Sequence, residues 1–341
     1  MEIRRKIKVL IVDDSIVFRE VLRKGLSSDL SIQVVSTAND PFDARDKIIQ
    51  YEPDVMTCDV EMPKMNGIEF IKRLMPQYPL PTIVVSTVSG AVFDAMNAGA
   101  VDFVGKPDVR SVISVENFLN ELILKVKIAS VCKMPSVNTE IRGNTIYNPL
   151  KTDCSQIIAI GASTGGTEAI SRILKELPQS IPGIVIVQHI TPDFSRLFAE
   201  RLNSSTAFKV KEARSGDYIE TGTVLVAPGS KHMKILKRGL KYSVECFEGD
   251  KVNGHCPSVD ILFESVAKEA GDKAIGVILT GMGYDGAKGL LSMRRKGART
   301  IGQDEKTAIV YGMPKVAYNI GAVEKQTSLN NIAQSICSMI K

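Results

Sequence analysis

Short apolar runs rich in Val and Ile alternate along the chain with segments whose apolar residues recur every three to four positions, a pattern that predicts parallel sheets covered by helices. In residues 1–130 the strand candidates are KVLIVDD, IQVVSTA, DVMTCDV, PTIVVST and AVDFVGKP. The stretches SIVFREVLRKGL, PFDARDKIIQYE and GIEFIKRLM read as amphipathic helices between them, and SVENFLNELILKVKIA closes the series. Five such units make one complete doubly wound domain. A second series starts at QIIAIGAS and runs through GIVIVQHI, TVLVAPG, KAIGVILTGMG and ARTIGQD, with helical patterns in GTEAISRILKEL and SVDILFESVAKEA. Some antiparallel pairing is expected around MKILKRGLKYSVEC. Between the series, KMPSVNTEIRGNTIYNPLKTD is rich in Pro, Asn, Ser and Thr and has no sustained period, which marks an interdomain linker. The expected organisation is an α/β chain of two doubly wound domains, 1–130 and 154–341, joined by a linker over 131–153.

A length of 341 residues agrees with two domains. No charge-free apolar run reaches the roughly 18 residues of a membrane span, and MEIRRKIKVLIVDD runs straight into a strand rather than a cleavable signal. The expectation is a cytoplasmic protein without membrane insertion. Six scattered cysteines, with no C-x-x-C pair, read as free thiols. The net charge of +5 is modest and forms no basic block, which argues against nucleic acid as a partner. Residues 1–130 carry 16 basic and 18 acidic side chains and the remainder 27 and 20, so an acidic partner is drawn to the C-terminal part.

In the first series, Asp13 and Asp14 end the first strand, Asp59 the third, Ser86 the fourth and Lys106 the fifth. The C-terminal ends of parallel strands converge on one edge, where doubly wound folds bind ligands. Three carboxylates there repel one another unless a cation sits among them, and an oxygen-rich pocket suits Mg2+. Such an ion would neutralise a phosphate while one carboxylate attacks its phosphorus, with Ser86 and Lys106 binding the phosphoryl oxygens. A single strand-end Asp is more simply a helix cap, as Asp14 is placed to be; the whole set favours phosphoryl chemistry. Over its full length this segment resembles the receiver domain of two-component response regulators, which have a flavodoxin-like fold. The resemblance implies Asp59 as phospho-acceptor, Asp13, Asp14 and Asp59 as the magnesium site, Ser86 as the switch hydroxyl and Lys106 as the phosphate-sensing lysine. The fourth helical segment, SGAVFDAMNAG, is short for such a domain.

In the second series, QIIAIGAS delivers Gly161-Ala162-Ser163-Thr164-Gly165 to a strand-to-helix turn, satisfying G-x-S-x-G. The same turn can bind a phosphate through backbone N–H groups and the helix dipole, so the motif alone leaves Ser163 open between nucleophile and phosphate loop. A serine nucleophile needs a base. Of the three histidines, His189 ends the next strand candidate and can reach the same edge, whereas His232 and His255 lie after a turn and in a loop, where solvent or substrate contact is the alternative. A carboxylate must then orient the imidazole, and Asp285 in TGMGYDG follows another apolar strand; its glycine-rich setting also suits a tight turn with an Asp cap. Backbone N–H groups of Gly281-Met282-Gly283, that of Met282 above all, are candidates for holding an oxyanion.

The motifs GASTGGTEAI, VQHITPDFSRLFAERLN, VAPGSKH, PSVDILFESVA, ILTGMGYDGAKGL and GQDEKTAIVYGMPKVA closely resemble the chemotaxis-receptor protein-glutamate methylesterase family. With the receiver-like segment, the resemblance covers nearly the whole chain apart from the linker. It implies Ser163, His189 and Asp285 as catalytic residues with Thr164 and Met282 lining the site, and no cofactor for ester hydrolysis. It also implies demethylation of glutamate methyl esters on the cytoplasmic helices of methyl-accepting chemoreceptors, deamidation of receptor glutamines, and a chemotaxis histidine kinase as phosphodonor. The first domain is expected to block the esterase until Asp59 is phosphorylated. Acid-rich receptor helices would give the basic excess of the C-terminal part a role in encounter. Two rivals come from other classes: a non-catalytic binding module in which Ser163 is a turn residue, and a nucleotide-dependent oxidoreductase using GASTGG as a phosphate cradle. The second lacks G-x-G-x-x-G on its first strand.

Overall fold

In the computed structural model, which describes residues 5–87, 90–108, 111–134 and 156–340, the chain divides into two units, Met1–Asn138 and Thr139–Lys341. The linker expected over 131–153 lies outside the described residues from residue 135 onward.

The first unit has strands β1 (Ile7–Val12), β2 (Ile32–Ala38), β3 (Val55–Asp59), β4 (Thr82–Ser86) and β5 (Asp102–Gly105). All are parallel, in the order β2-β1-β3-β4-β5. Every residue of β3 and β4 is buried, because helices cover both faces of the sheet. Those helices are α1 (Ile16–Ser27), α2 (Pro41–Tyr51), α3 (Gly67–Leu74), α4 (Ala91–Asn97) and α5 (Val112–Ala129). Ser15, Asp40, Asn66 and Ser111 cap α1, α2, α3 and α5 by accepting first-turn amide hydrogens, the expected role of short polar side chains at an N-cap. At four-residue spacing, Phe18, Leu22 and Leu26 of α1 and Phe118, Leu122 and Val126 of α5 are buried, and the Phe18 and Phe118 rings meet with centroids 5.8 Å apart. Helix α4 has seven residues and no side-chain cap, in line with its short pattern in the sequence.

The second unit opens with β6 (Ile157–Ala162), α6 (Gly166–Glu176), β7 (Gly183–Gln188), α7 (Pro192–Ser205), β8 (Lys209–Glu212) and β9 (Thr223–Val226). There follow β10 (His232–Arg238), β11 (Lys241–Phe247), α8 (Val259–Glu269), β12 (Ala274–Ile278) and α9 (Ala287–Arg295). The chain ends with β13 (Arg299–Gln303), α10 (Met313–Asn319), β14 (Lys325–Thr327) and α11 (Leu329–Met339). Seven strands form one parallel sheet, β14-β13-β12-β6-β7-β9-β8. The antiparallel pairing expected around residues 233–246 is present, and it forms a separate two-stranded hairpin of β10 and β11 beside the main sheet. The central strands β6, β7 and β12 are buried throughout, and Phe263 of α8 lies fully buried against them.

Both parallel sheets reverse their winding direction once, between β1 and β3 in the first unit and between β6 and β12 in the second. The loops leaving two such strands diverge to opposite faces and open a crevice at the strands' C-terminal ends. Among the described residues no helix is long and apolar enough to cross a membrane, and Cys58, Cys132, Cys246, Cys256 and Cys337 are free thiols.

Candidate active site

In the first unit, the ends of β1 and β3 bring Asp13, Asp14 and Asp59 together, with one carboxylate oxygen of each lying within 4.8 Å of the others. Lys106, just after β5, places its Nζ 2.8 Å from Asp13 Oδ2 and 2.7 Å from Asp59 Oδ2. Burial pushes the Asp59 carboxyl above its ordinary range, and this outweighs the pull of Lys106 in the opposite direction. Ser86 is buried at the end of β4, and its carbonyl accepts the Lys106 amide hydrogen at 3.0 Å, so the two are neighbours across the β4–β5 pair. The five residues singled out in the sequence therefore share one edge.

In the second unit, β6 runs into Ser163, and the backbone then turns through Gly165 at φ +75, a left-handed conformation that glycine adopts without steric cost, before α6 begins. The turn is pinned from three sides. Ser163 N–H donates to Thr280 O at 3.0 Å, while Ser163 O accepts from Gly166 N–H at 2.7 Å and from Gln188 Nε2 at 2.8 Å. His189 directly follows the adjacent β7, and its N–H donates to Ala162 O at 3.1 Å, so the residues before the serine and at the histidine are bonded side by side. Asp285 comes from the loop after β12, on the other side of β6.

His189 Nε2 lies 2.8 Å from Asp285 Oδ2, and both side chains are buried. The carboxylate accepts, so Nε2 carries the hydrogen and, in the neutral ring, Nδ1 keeps its lone pair. That Nδ1 is buried and has no hydrogen-bond partner among the described residues, so it is not bonded to the Ser163 hydroxyl here. Asp285 sits at the N-terminus of α8, where it accepts from Val259 N–H at 2.7 Å, Asp260 N–H at 3.2 Å and Ser258 Oγ at 2.8 Å. Burial would raise its carboxyl, but the His189 bond and charge, the Asn253 bond and these amides hold it well below the ordinary range. A carboxyl held toward its ionised form is the partner that stabilises an imidazolium.

Thr164 is buried beside the turn at Ser163, and its carbonyl accepts from Thr280 Oγ1 at 3.0 Å. Met282 is 43 % exposed, on the loop whose preceding residue, Gly281, presses on Ser163.

The loop 248–258 contributes what the sequence did not specify. His232, buried at the start of β10, bonds both of its ends: Nε2 lies 2.9 Å from Asp250 O, and Nδ1 accepts from Ser258 N–H at 3.2 Å. Within the loop, Val252 and His255 exchange N–H···O bonds of 3.0 Å around Asn253 and Gly254, at φ +53 and +84. This is the two-residue turn with both central residues left-handed, for which Asn-Gly is the favoured pair. From it, Asn253 Nδ2 donates to Asp260 Oδ2 at 2.7 Å and to Asp285 Oδ1 at 2.8 Å. The His255 ring stacks on His189 with centroids 3.6 Å apart and planes 10° apart. Burial, with the neighbouring His189 adding to it, drives the His255 imidazole down to about 4.

Fold and sites together define a two-unit α/β protein: a receiver-type unit with an acidic, lysine-bridged pocket, and a parallel-sheet unit with Ser, His and Asp gathered at its strand ends. Its residues 158–336 match the family model for CheB methylesterase and residues 9–115 that for the response regulator receiver domain. The chain belongs to the CheB methylesterase family. It is 56 % identical over 336 residues to the protein-glutamate methylesterase/protein-glutamine glutaminase 2 of Syntrophomonas wolfei, with 98 % of both chains covered. The corresponding protein of Salmonella typhi is 42 % identical, with 98 % of this chain and 97 % of that one covered. The crystal structure of the Thermotoga maritima CheB methylesterase catalytic domain superposes with a TM-score of 0.53 at 35 % identity, covering 54 % of this chain and 98 % of that one.

Proposed function

We propose that this protein is a phosphorylation-activated serine hydrolase that removes methyl groups from glutamate methyl esters of chemoreceptors and deamidates receptor glutamines. The observation that carries the reading is the 2.8 Å bond between His189 and Asp285, which follow the two strands flanking the one that leads into Ser163. With Nε2 committed to Asp285, Nδ1 is the nitrogen left to act as base. Ser163 Oγ attacks the ester carbonyl while His189 Nδ1 takes its proton, and Asp285 stabilises the imidazolium. Backbone donors at Met282 and Thr164 hold the oxyanion. His189 then protonates departing methanol, or ammonia when the substrate is a glutamine. Water, deprotonated by the same nitrogen, attacks the acyl-enzyme and releases glutamate.

In the first unit, Asp59 is the phospho-acceptor, with Ser86 and Lys106 binding the phosphoryl oxygens, and a histidine kinase of the receptor pathway is the donor. Three carboxylates with one oxygen of each within 4.8 Å of the others are the hard oxygen donors that a divalent cation such as magnesium takes. Asp13, Asp14 and Asp59 would hold magnesium, which would supply the positive charge an acidic pocket needs to accept a phosphoryl group. The proposed organisation is a receiver domain at 1–130, a linker at 131–153 and a catalytic domain at 154–341.

The test is methanol release from methylated receptor membranes, with and without a small phosphodonor. Ser163→Ala is expected to abolish release, and Asp59→Asn to keep a basal rate that the phosphodonor no longer raises. Undiminished release by Ser163→Ala would sink the proposal.

A further inference from the structure

We infer that the turn Val252–His255 is a two-armed positioning device for the pair His189 and Asp285, His255 holding the imidazole and Asn253 the carboxylate. The inference rests on the proposed reading of Ser163 as nucleophile and His189 as base.

A single bond from Nε2 to Asp285 fixes one edge of the His189 ring but leaves its plane free to swing about that bond. A second ring lying parallel at 3.6 Å is at contact distance over a whole face, and it removes that freedom while shielding the face from water. The stack also suits the reaction. When Ser163 gives up its proton the positive charge appears on His189, beside the π face of a neutral ring, an arrangement that favours a cation. The charged and titratable groups acting on His255 are His189, Asp285 and Lys251. Its burial and the adjoining imidazole disfavour a second positive charge, so the stack stays of mixed charge while His189 is protonated.

The other arm solves a different problem. Asp260 and Asp285 are both buried, and Asp260 N–H already donates to Asp285, so their carboxylates repel at short range. The two hydrogens of Asn253 Nδ2 satisfy both at once, and Asp260 Oδ1 is held from its far side by Gly289 N–H at 2.7 Å. Asn253 can do this because its backbone is left-handed, a conformation that asparagine tolerates better than most residues. Two residues apart in one tight turn, the arms set the imidazole and the carboxylate relative to each other, and His232 anchors the turn at both ends.

The experiment uses the full chain and two readouts. Labelling of Ser163 by a fluorophosphonate, which reports activation of the serine without any receptor substrate, is measured alongside methanol release from methylated receptor membranes. His255→Ala is expected to slow labelling about tenfold and to lower kcat for methanol release with KM unchanged. His255→Phe, which restores a stacking ring without a titrating group, recovers most of both rates. Asn253→Gly, which keeps the left-handed backbone and removes the amide, behaves like His255→Ala. Parent-like labelling of His255→Ala, or a phenylalanine variant as impaired as the alanine one, overturns the inference. If labelling depends on the two arms but the parent releases no methanol, the ester reading fails and the positioning device stands. If Ser163 of the parent does not label at all, both fall.

Discussion

Gly281 lies against Ser163 so closely that a Cβ built on it would stand 2.6 Å from Ser163 Cβ and 2.5 Å from Met313 Sδ. The methionine tip can yield, but the serine is held by three hydrogen bonds to its backbone groups. A methyl group at 281 therefore moves Ser163 or the neighbouring Met282 amide. Gly281→Ala is expected to lower kcat for methanol release by on the order of 100-fold, with a thermal midpoint within a few degrees of the parent. A rate equal to the parent's would show that nothing reacts at this contact.

Asp285 accepts from His189, Asn253 and the first turn of α8. In Asp285→Asn one oxygen becomes an N–H2 facing donors and can no longer stabilise an imidazolium. The expected loss in kcat is on the order of 10³-fold or more, and fluorophosphonate labelling should slow in parallel. Full activity in this variant would remove Asp285 from the mechanism.

The pH dependence of stability has a definite sign at His255. Its imidazole titrates near 4 in the folded protein, against 6.5 for the unperturbed side chain. Between those values the unfolded chain binds more protons, so stability is complete above 6.5, is lost as pH falls toward 4, and levels off below. After allowance for partial exposure, the loss is roughly 2 kcal/mol. His255→Phe lacks this contribution. Urea unfolding of parent and variant at pH 7 and pH 4.5 should show the parent losing more on acidification; equal losses would contradict it.

Phe263 is fully buried, with its ring edge near Gly161 at the end of β6 and its Cβ near Gly289 of α9. Phe263→Ala leaves a cavity beneath the strand that presents Ser163, and is expected to cost about 3–5 kcal/mol. Unfolding followed by circular dichroism should show the midpoint of the second unit falling. If it does not move, that part of the core has collapsed to fill the space.

The sequence was most legible where chemistry terminates an apolar run. Asp13, Asp59, Ser86, Ser163 and His189 all sit at the ends of central strands, whose buried Val and Ile residues announce both the strand and its last residue. Strands β8 and β14 announced little. KVKE buries one residue and KQT none, because outer strands with one paired neighbour need few apolar side chains. The roles of the other two histidines and of Asn253 were not readable either. Asn-Gly signals the tight turn, but the carboxylate its amide meets is set by Asp285, 32 residues onward, and by the way α8 packs. The histidines of residues 232 and 255 look alike in the sequence. One faces two backbone groups and the other an aromatic ring, a difference that only the closed loop creates.

The fastening of that loop by His232 has a further consequence for its dynamics. Catalytic loops usually open on their own, and their amide hydrogens exchange with solvent long before those of the sheet. Here Ser258 N–H is spent on the His232 ring, Val252 and His255 on each other, and Val259 on Asp285, so breaking any of them disturbs the base of β10 or the start of α8. Deuterium uptake at the amides of Val252, His255, Ser258 and Val259 should follow the slow, cooperative opening of the surrounding core. The site's geometry is then as durable as the domain that carries it.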